Sequence, residues 1–184
     1  MQQKRKPLYI LTECAIFIAL SVILSYFKIP LGIAGGSVDF VMLPLFLLCR
    51  RNGVWYGIGS GLLLGLLKCI LGGGIGWGLP SVLLDYVLAY GACGLAGLFP
   101  RRKGFHELAV LLGCLGRFAV HFVSGITLYA IAVPTEIESI GKTFVNPFLY
   151  SLVYNALYML PNTVLAILAF CLLTRLPQSK KLFF

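Results

Sequence analysis

Charge is scarce in this chain. Asp, Glu, Lys and Arg make up 11% of its 184 residues, against 59% hydrophobic side chains and a mean hydropathy of +0.94. No soluble domain of this size needs so much apolar side chain, so a water-soluble enzyme is excluded. The six cysteines, Cys14, Cys49, Cys69, Cys93, Cys114 and Cys171, stand singly, with no CxxC and no metal-like grouping. They read as small apolar packing residues, and neither disulfides, a metal nor a cofactor is expected. A GxxxxGK[ST] loop is also lacking, so any ATP-driven process needs another chain to supply the ATPase. Internal repeats and low-complexity tracts are missing too.

What is there in quantity is apolar sequence. A transmembrane helix takes about 20 such residues. The runs at about 9–27, 39–49, 54–71, 80–99, 107–132 and 147–173 predict an all-α integral membrane protein of six transmembrane helices in one membrane domain, residues 1–184. The second run is short and reads as tilted or extended into Gly35 and Gly36. The segments run on without alternating, which argues against a β-barrel. The first run follows Lys4, Arg5 and Lys6 but is too long for a signal-peptide core and lacks a convincing small-x-small cleavage site, so it reads as a retained helix.

The formal charge of +9 is a topology signal. An N-terminus placed inside puts 11 of the 15 basic residues on the cytoplasmic side, at 4–6, 50–51, 101–103 and at Arg175, Lys180 and Lys181. Lys28 and Lys142 fall on outer loops, while Lys68 and Arg117 lie within spans. Both termini are therefore expected in the cytoplasm. The basic clusters sit at helix ends and form no continuous face, so no nucleic acid is expected as a partner; the lipid bilayer is.

Gly53, Gly57, Gly61 and Gly65 recur every four residues in the third span and form a smooth stripe for close helix packing. Ala15 and Ala19 make a small-xxx-small pair on the first. A charge at the bilayer centre costs at least about 2.5–3.5 kcal/mol, so each one asks for a partner, a cavity or an escape to the interface. Glu13 and Lys68 lie near helix ends, where snorkelling is an adequate explanation, and Asp39 begins a helix, where it would cap.

Asp85 lies roughly 8 Å below the outer end of the fourth span, and His121 roughly 15 Å below that of the fifth. Arg117, His121, Gly125 and Tyr129 share one face of the fifth helix, and Tyr150 and Asn155 enter from the sixth. An ideal wheel sets Tyr150 and Asn155 about 140° apart, so one cavity must be wide to use both. Trp77, Tyr86, Tyr90, Phe148 and Tyr154 add rings at the same end. A carboxylate, an imidazole and an amide at similar depth among rings suit a small cationic or aromatic solute, with Asp85 accepting from an amine. Other readings stay open for each residue. Asp85 would also serve as a buried ion pair with Arg117 or Lys68, His121 and Asn155 as interhelical glue, and Tyr129 and Tyr150 as interfacial belt residues. Arg117 reads as structural.

Ordered segments carry a resemblance: Gly36-Ser37 with Met42-Leu43-Pro44, Arg51-Asn52-Gly53, Leu84-Asp85-Tyr86 with Leu88-Ala89-Tyr90, Arg117-Phe118 with His121 and Gly125, and Tyr150-Ser151-Leu152 with Tyr154-Asn155. Over about residues 10–160 the chain resembles the thiamine-specific substrate-binding (S) component of energy-coupling factor transporters, the ThiT/YuaJ family. The resemblance implies an S-component-like bundle in a bacterial plasma membrane. It also implies that Asp85 bonds the aminopyrimidine of thiamine, and that Tyr86, His121, Gly125, Tyr150 and Asn155 line the pocket. Ala15 and Ala19 match the small-residue motif by which such subunits dock on the transmembrane coupling protein, which works with two ATPase subunits. The family usually has Glu where Asp85 stands and a stacking Trp where Tyr129 stands, and no Trp occurs between Lys28 and Val38. Trp77 is the residue expected to give a lid contact.

The expected function is capture of thiamine from outside for ATP-driven uptake by partner subunits, with no covalent chemistry in this chain. Two transport alternatives stand beside it: a self-sufficient proton-coupled carrier using Asp85 and His121, and an S component for a related pyrimidine or thiazole precursor. An intramembrane enzyme with the same pair as acid and base lacks a second carboxylate, nucleophile or metal cluster to complete it.

Overall fold

The computed structural model describes residues 7–30, 36–99, 105–129, 135–137 and 140–176, without the side chains of Trp77, Leu128, Tyr129 and Thr135. Both termini, and the basic clusters at 4–6 and 101–103, lie outside the described residues. In chain order the elements are α1 (Pro7–Leu24), β1 (Lys28–Pro30), β2 (Ser37–Asp39), α2 (Met42–Asn52) and α3 (Val54–Leu71). They continue with α4 (Leu79–Leu98), α5 (His106–Tyr129), β3 (Thr135–Ile137), β4 (Lys142–Phe144) and α6 (Pro147–Arg175). Among the described residues, five helices (α1, α3, α4, α5 and α6) are long and apolar enough to cross a membrane.

The second expected span is the exception. Its helix α2 has 11 residues, about 16 Å, roughly half of a bilayer core. The preceding residues 37–39 form extended backbone, paired antiparallel with β1 in the register Lys28↔Asp39 and Pro30↔Ser37. This strand is fastened to α6 by Asn162, whose Oδ1 accepts from the Asp39 N–H at 2.8 Å and whose Nδ2 donates to the Ser37 carbonyl at 2.7 Å. Asn162 lies 13 residues from the Arg175 end of α6, about 20 Å along the axis. The helix therefore starts partway through the bundle and has only the remaining depth to cover. Non-helical backbone at such depth is tolerated where protein covers it and satisfies its polar groups, which Asn162 does here.

Local chemistry explains the other boundaries. Gly53, at φ 89°, separates α2 from α3 in a conformation that side-chain-bearing residues rarely adopt. The Asn146 side chain accepts from Phe148 N at 2.9 Å and Leu149 N at 3.4 Å, and with Pro147 opens α6. Inside α6, Pro161 interrupts the ladder one residue before Asn162, which also donates to the Tyr158 carbonyl at 2.8 Å.

The glycine stripe packs α3 against α4. An ideal Cβ on Gly57 would meet Gly94, one on Gly61 would meet Tyr90 and Gly91, and one on Gly65 would meet Tyr86 and Val87. Backbone contact this close is what small residues permit between membrane helices. The partner α4 is helical but irregular, with a π-helical stretch Val82–Leu88 and a 3-10 stretch Cys93–Leu98. Asp85 and Tyr86 lie in the π-helical stretch, a geometry that recurs at functional sites.

Lipid-facing surface is plain on α1, where Leu8, Leu11, Ile16 and Ile23 are exposed while Glu13, Cys14, Ile18 and Ser21 are buried. Ala15 and Ala19 lie on its exposed side. Glu13 does not snorkel: it is buried, paired with Arg51 of α2, and accepts from Asn52 Nδ2 at 2.9 Å. A carboxylate drawn inward by a guanidinium and an amide needs no route to the interface. A second hairpin, β3 with β4, runs antiparallel in the register Thr135↔Phe144 between α5 and α6.

Candidate functional site

The cavity at the end opposite the Glu13–Arg51 pair is built from the β1–β2 hairpin, α3, α4, α5 and α6. It has a volume of about 140 Å³ and takes walls from the β1–β2 hairpin (Lys28, Gly36, Ser37), α3 (Lys68, Gly72) and α4 (Ser81, Asp85, Tyr86, Tyr90). Its other walls are α5 (Arg117, His121, Gly125) and α6 (Tyr150, Tyr154, Asn155, Tyr158). Six residues singled out from the sequence thus share one cavity: Asp85, Tyr86, His121, Gly125, Tyr150 and Asn155. Tyr129 ends α5 and Trp77 lies in a 3-10 turn before α4, but the side chains of both lie outside the described residues.

Asp85 is the centre of the polar set. Its Oδ2 accepts from Ser81 Oγ at 2.8 Å, one helical turn earlier, and its Oδ1 is 3.1 Å from His121 Nδ1 across the α4–α5 contact. Among the described residues no Lys or Arg lies within 4.0 Å of it. The buried ion pair with Arg117 or Lys68, open from sequence, is therefore not formed. Lys68 lies instead 3.8 Å from Asp39 Oδ2 and 5.4 Å from the Tyr90 ring centroid. Its ammonium thus turns inward to a carboxylate and a ring, where snorkelling would have sent it to the interface. Asp39, expected as a simple cap, does accept from the Val41 N–H at 3.1 Å, but it also holds Lys68 and the Ser37 hydroxyl.

Arg117 spreads its guanidinium 4.2 Å from the Tyr90 ring centroid and directs Nε at His121 Nε2, 3.3 Å away. His121 is buried, with its ring edge against Tyr158 at 5.9 Å and 81°.

Tyrosine rings form the α6 wall. Tyr150 and Tyr154 stack at 5.7 Å and 4°, and Tyr154 meets Tyr158 edge-on at 5.7 Å and 65°. The Tyr154 hydroxyl also accepts from the Gly36 N–H at 2.8 Å, fixing the first hairpin to the same wall. Asn155 uses its amide within the bundle: Nδ2 donates to the Ser151 carbonyl at 2.8 Å and the His121 carbonyl at 3.3 Å, while Oδ1 accepts from Tyr158 at 2.7 Å. Gly125 makes room for this junction, because a Cβ there would collide with Ser151. The wide angle between Tyr150 and Asn155 is spanned by the cavity, which both line.

Sequence reasoning overlooked Ser81 and Tyr158 and gave Lys68 the wrong role. A signal for Tyr158 exists: Tyr150, Tyr154, Tyr158 and Asn162 follow at four-residue steps and share one face of α6. Ser81 stands four residues before Asp85, on the same helical face, a spacing equally visible in the chain.

The cavity can do three things. It offers a carboxylate with spare acceptor capacity and no cationic side chain upon it, it offers ring faces, and it brings Lys68 and Arg117 into the lining. No group of three or more His, Cys, Asp or Glu able to hold a metal ion occurs among the described residues.

Comparison with known proteins bears on this geometry. The family model described as thiamine transporter protein, Thia_YuaJ, matches residues 11–182. The thiamine transporter ThiT of Bacillus subtilis is 33% identical over 91% of this chain and 91% of its own length. The thiamine transporter ThiT of Lacticaseibacillus paracasei is 26% identical, covering 96% of this chain and 92% of its own. A solved structure of ThiT from Listeria monocytogenes superposes with a TM-score of 0.82 at 25% identity, over 97% of this chain and 99% of that one.

Proposed function

The chain belongs to the thiamine transporter family, and from that premise we propose that it is the substrate-capturing membrane subunit of an energy-coupling factor importer. It is a multi-pass membrane protein, and its relatives are named as transporters. Thiamine is the ligand proposed for the cavity. The observation that carries this is Asp85: a carboxylate supported by Ser81 and His121, without a Lys or Arg within ion-pairing distance among the described residues, set among tyrosine rings.

Thiamine has the complementary features, an exocyclic amine on a pyrimidine and a positively charged thiazolium. The amine donates to Asp85, the tyrosine faces of Tyr86 and Tyr150 receive the rings, and His121, Gly125 and Asn155 shape the wall. Tyr129 as a stacking ring and Trp77 as a lid contact complete the proposed site by family resemblance, their side chains lying outside the described residues. The Ala15 and Ala19 face of α1 docks on the transmembrane coupling protein, and ATP is hydrolysed by two further subunits, since this chain carries no phosphate-binding loop.

Transport separates this from the carrier reading. Proteoliposomes holding the chain alone should bind thiamine without accumulating it, and accumulation should appear when the coupling protein and ATPases are added with ATP. Accumulation by the chain alone under a proton gradient would instead establish a self-sufficient carrier.

A further inference from the structure

We infer that Arg117 is a positioning residue, which fixes the tautomer of His121 and through it holds Asp85 as an acceptor facing the cavity. This rests on the reading of the cavity as the thiamine site. Three observations carry it. Arg117 Nε is 3.3 Å from His121 Nε2, His121 Nδ1 is 3.1 Å from Asp85 Oδ1, and Ser81 Oγ is 2.8 Å from Asp85 Oδ2. The guanidinium is itself held by the Tyr90 ring, 4.2 Å from its centroid.

The direction of each bond follows from what each group can do. A guanidinium has five N–H donors and no acceptor, and it keeps its proton in proteins. His121 Nε2 therefore meets Arg117 with a lone pair, which leaves the single ring proton on Nδ1. That proton points at Asp85, which accepts it, and Ser81 donates to the other oxygen. Ser124 also lies against this carboxylate, and of the carboxylate's roughly four acceptor directions at least one remains for a ligand donor. A ring protonated at Nε2 instead would oppose two donors at Arg117 and turn a lone pair toward the carboxylate.

A consequence separates this from a merely structural arginine. Both nitrogens of His121 are engaged, so its effect on a ligand runs through Asp85. Losing Arg117 should release the tautomer and blunt Asp85 as an acceptor even where the fold survives.

Nitrogen-15 labelling of histidine in the purified chain, read by long-range proton–nitrogen correlation, tests this without any ligand. The chain has two histidines, and a His106→Gln variant assigns them. Native His121 should show a protonated, pyrrole-type Nδ1 and an unprotonated, pyridine-type Nε2. Arg117→Met should give mixed tautomers and bind thiamine roughly tenfold more weakly or worse, as expected for hydrogen bonds to a charged group. Arg117→Lys keeps a donor-only cation and should preserve the tautomer. A native His121 protonated at Nε2 would overturn the inference, as would an unchanged tautomer in folded Arg117→Met. If Arg117→Met does not fold, the native spectrum and Arg117→Lys decide alone. Failure of the native protein to bind thiamine, with the tautomer pattern intact, would remove the ligand assignment and leave the Arg117–His121–Asp85 chain standing.

Discussion

At the scale of single residues the site depends on where each polar atom spends its hydrogen bonds. Asp85 keeps acceptor capacity because its neighbours are donors of modest charge, a hydroxyl and an imidazole. Asp85→Asn replaces one acceptor oxygen by a donor and removes the charge. Calorimetry should show thiamine binding weakened by about 1.5–3 kcal/mol, tenfold or more, with the melting temperature little changed. Tyr158→Phe acts differently, since its hydroxyl donates to Asn155 Oδ1 inside the α5–α6 junction at 2.7 Å. Leaving that oxygen buried and unpaired should cost about 1–3 kcal/mol of stability, visible as a lower thermal midpoint in detergent. These partnerships explain which residues were legible from the chain. Asp85, His121 and Asn155 declare themselves because ionisable and amide groups are rare in apolar helices. Lys68 was misjudged because its partner Asp39 comes from an extended strand that helical periodicity cannot reveal.

At the scale of elements, the glycine face of α3 sets how closely the Asp85-bearing segment can approach. An alanine methyl at Gly61 would stand 2.8 Å from the Tyr90 carbonyl carbon and 3.0 Å from Gly91 Cα, backbone atoms that cannot yield by rotating a side chain. Gly61→Ala should therefore destabilise the protein by about 1–3 kcal/mol and weaken binding with it. Gly59→Ala is the matched control, since nothing lies within 4 Å of its Cβ position, and it should melt at or above the native temperature. The strand β2 makes a second test. Asn162→Ala removes the amide that ties Asp39 and Ser37 to α6. Thiamine affinity should fall while circular dichroism shows the helices retained. Apolar run length alone locates α3 to the residue and α6 nearly so. It misses both hairpins, whose three-residue strands carry no alternation, and it begins the second helix inside β2. The irregular turns of α4 are equally invisible, because hydropathy is blind to whether a helix hydrogen-bonds four or five residues back.

At the scale of the whole molecule, the division is between an end where Glu13, Arg51 and Asn52 tie α1 to α2 and an opposite end that encloses the cavity. Charge counting expects the first of these ends, with Arg50 and Arg51, to face the cytoplasm. The cavity's enclosure is not readable, because it needs α3, α4, α5 and α6 to converge on the β1–β2 hairpin. The proposed binding role predicts recognition of the solute without a partner. The most direct measurement is calorimetric titration of thiamine into the purified chain, without coupling protein, ATPases or ATP, beside the Asp85→Asn variant. Saturable one-to-one binding by the native chain, weakened at least about tenfold in Asp85→Asn, is the expected result. A folded native chain that takes up no thiamine, or a variant that binds it equally well, would contradict the assignment of this cavity.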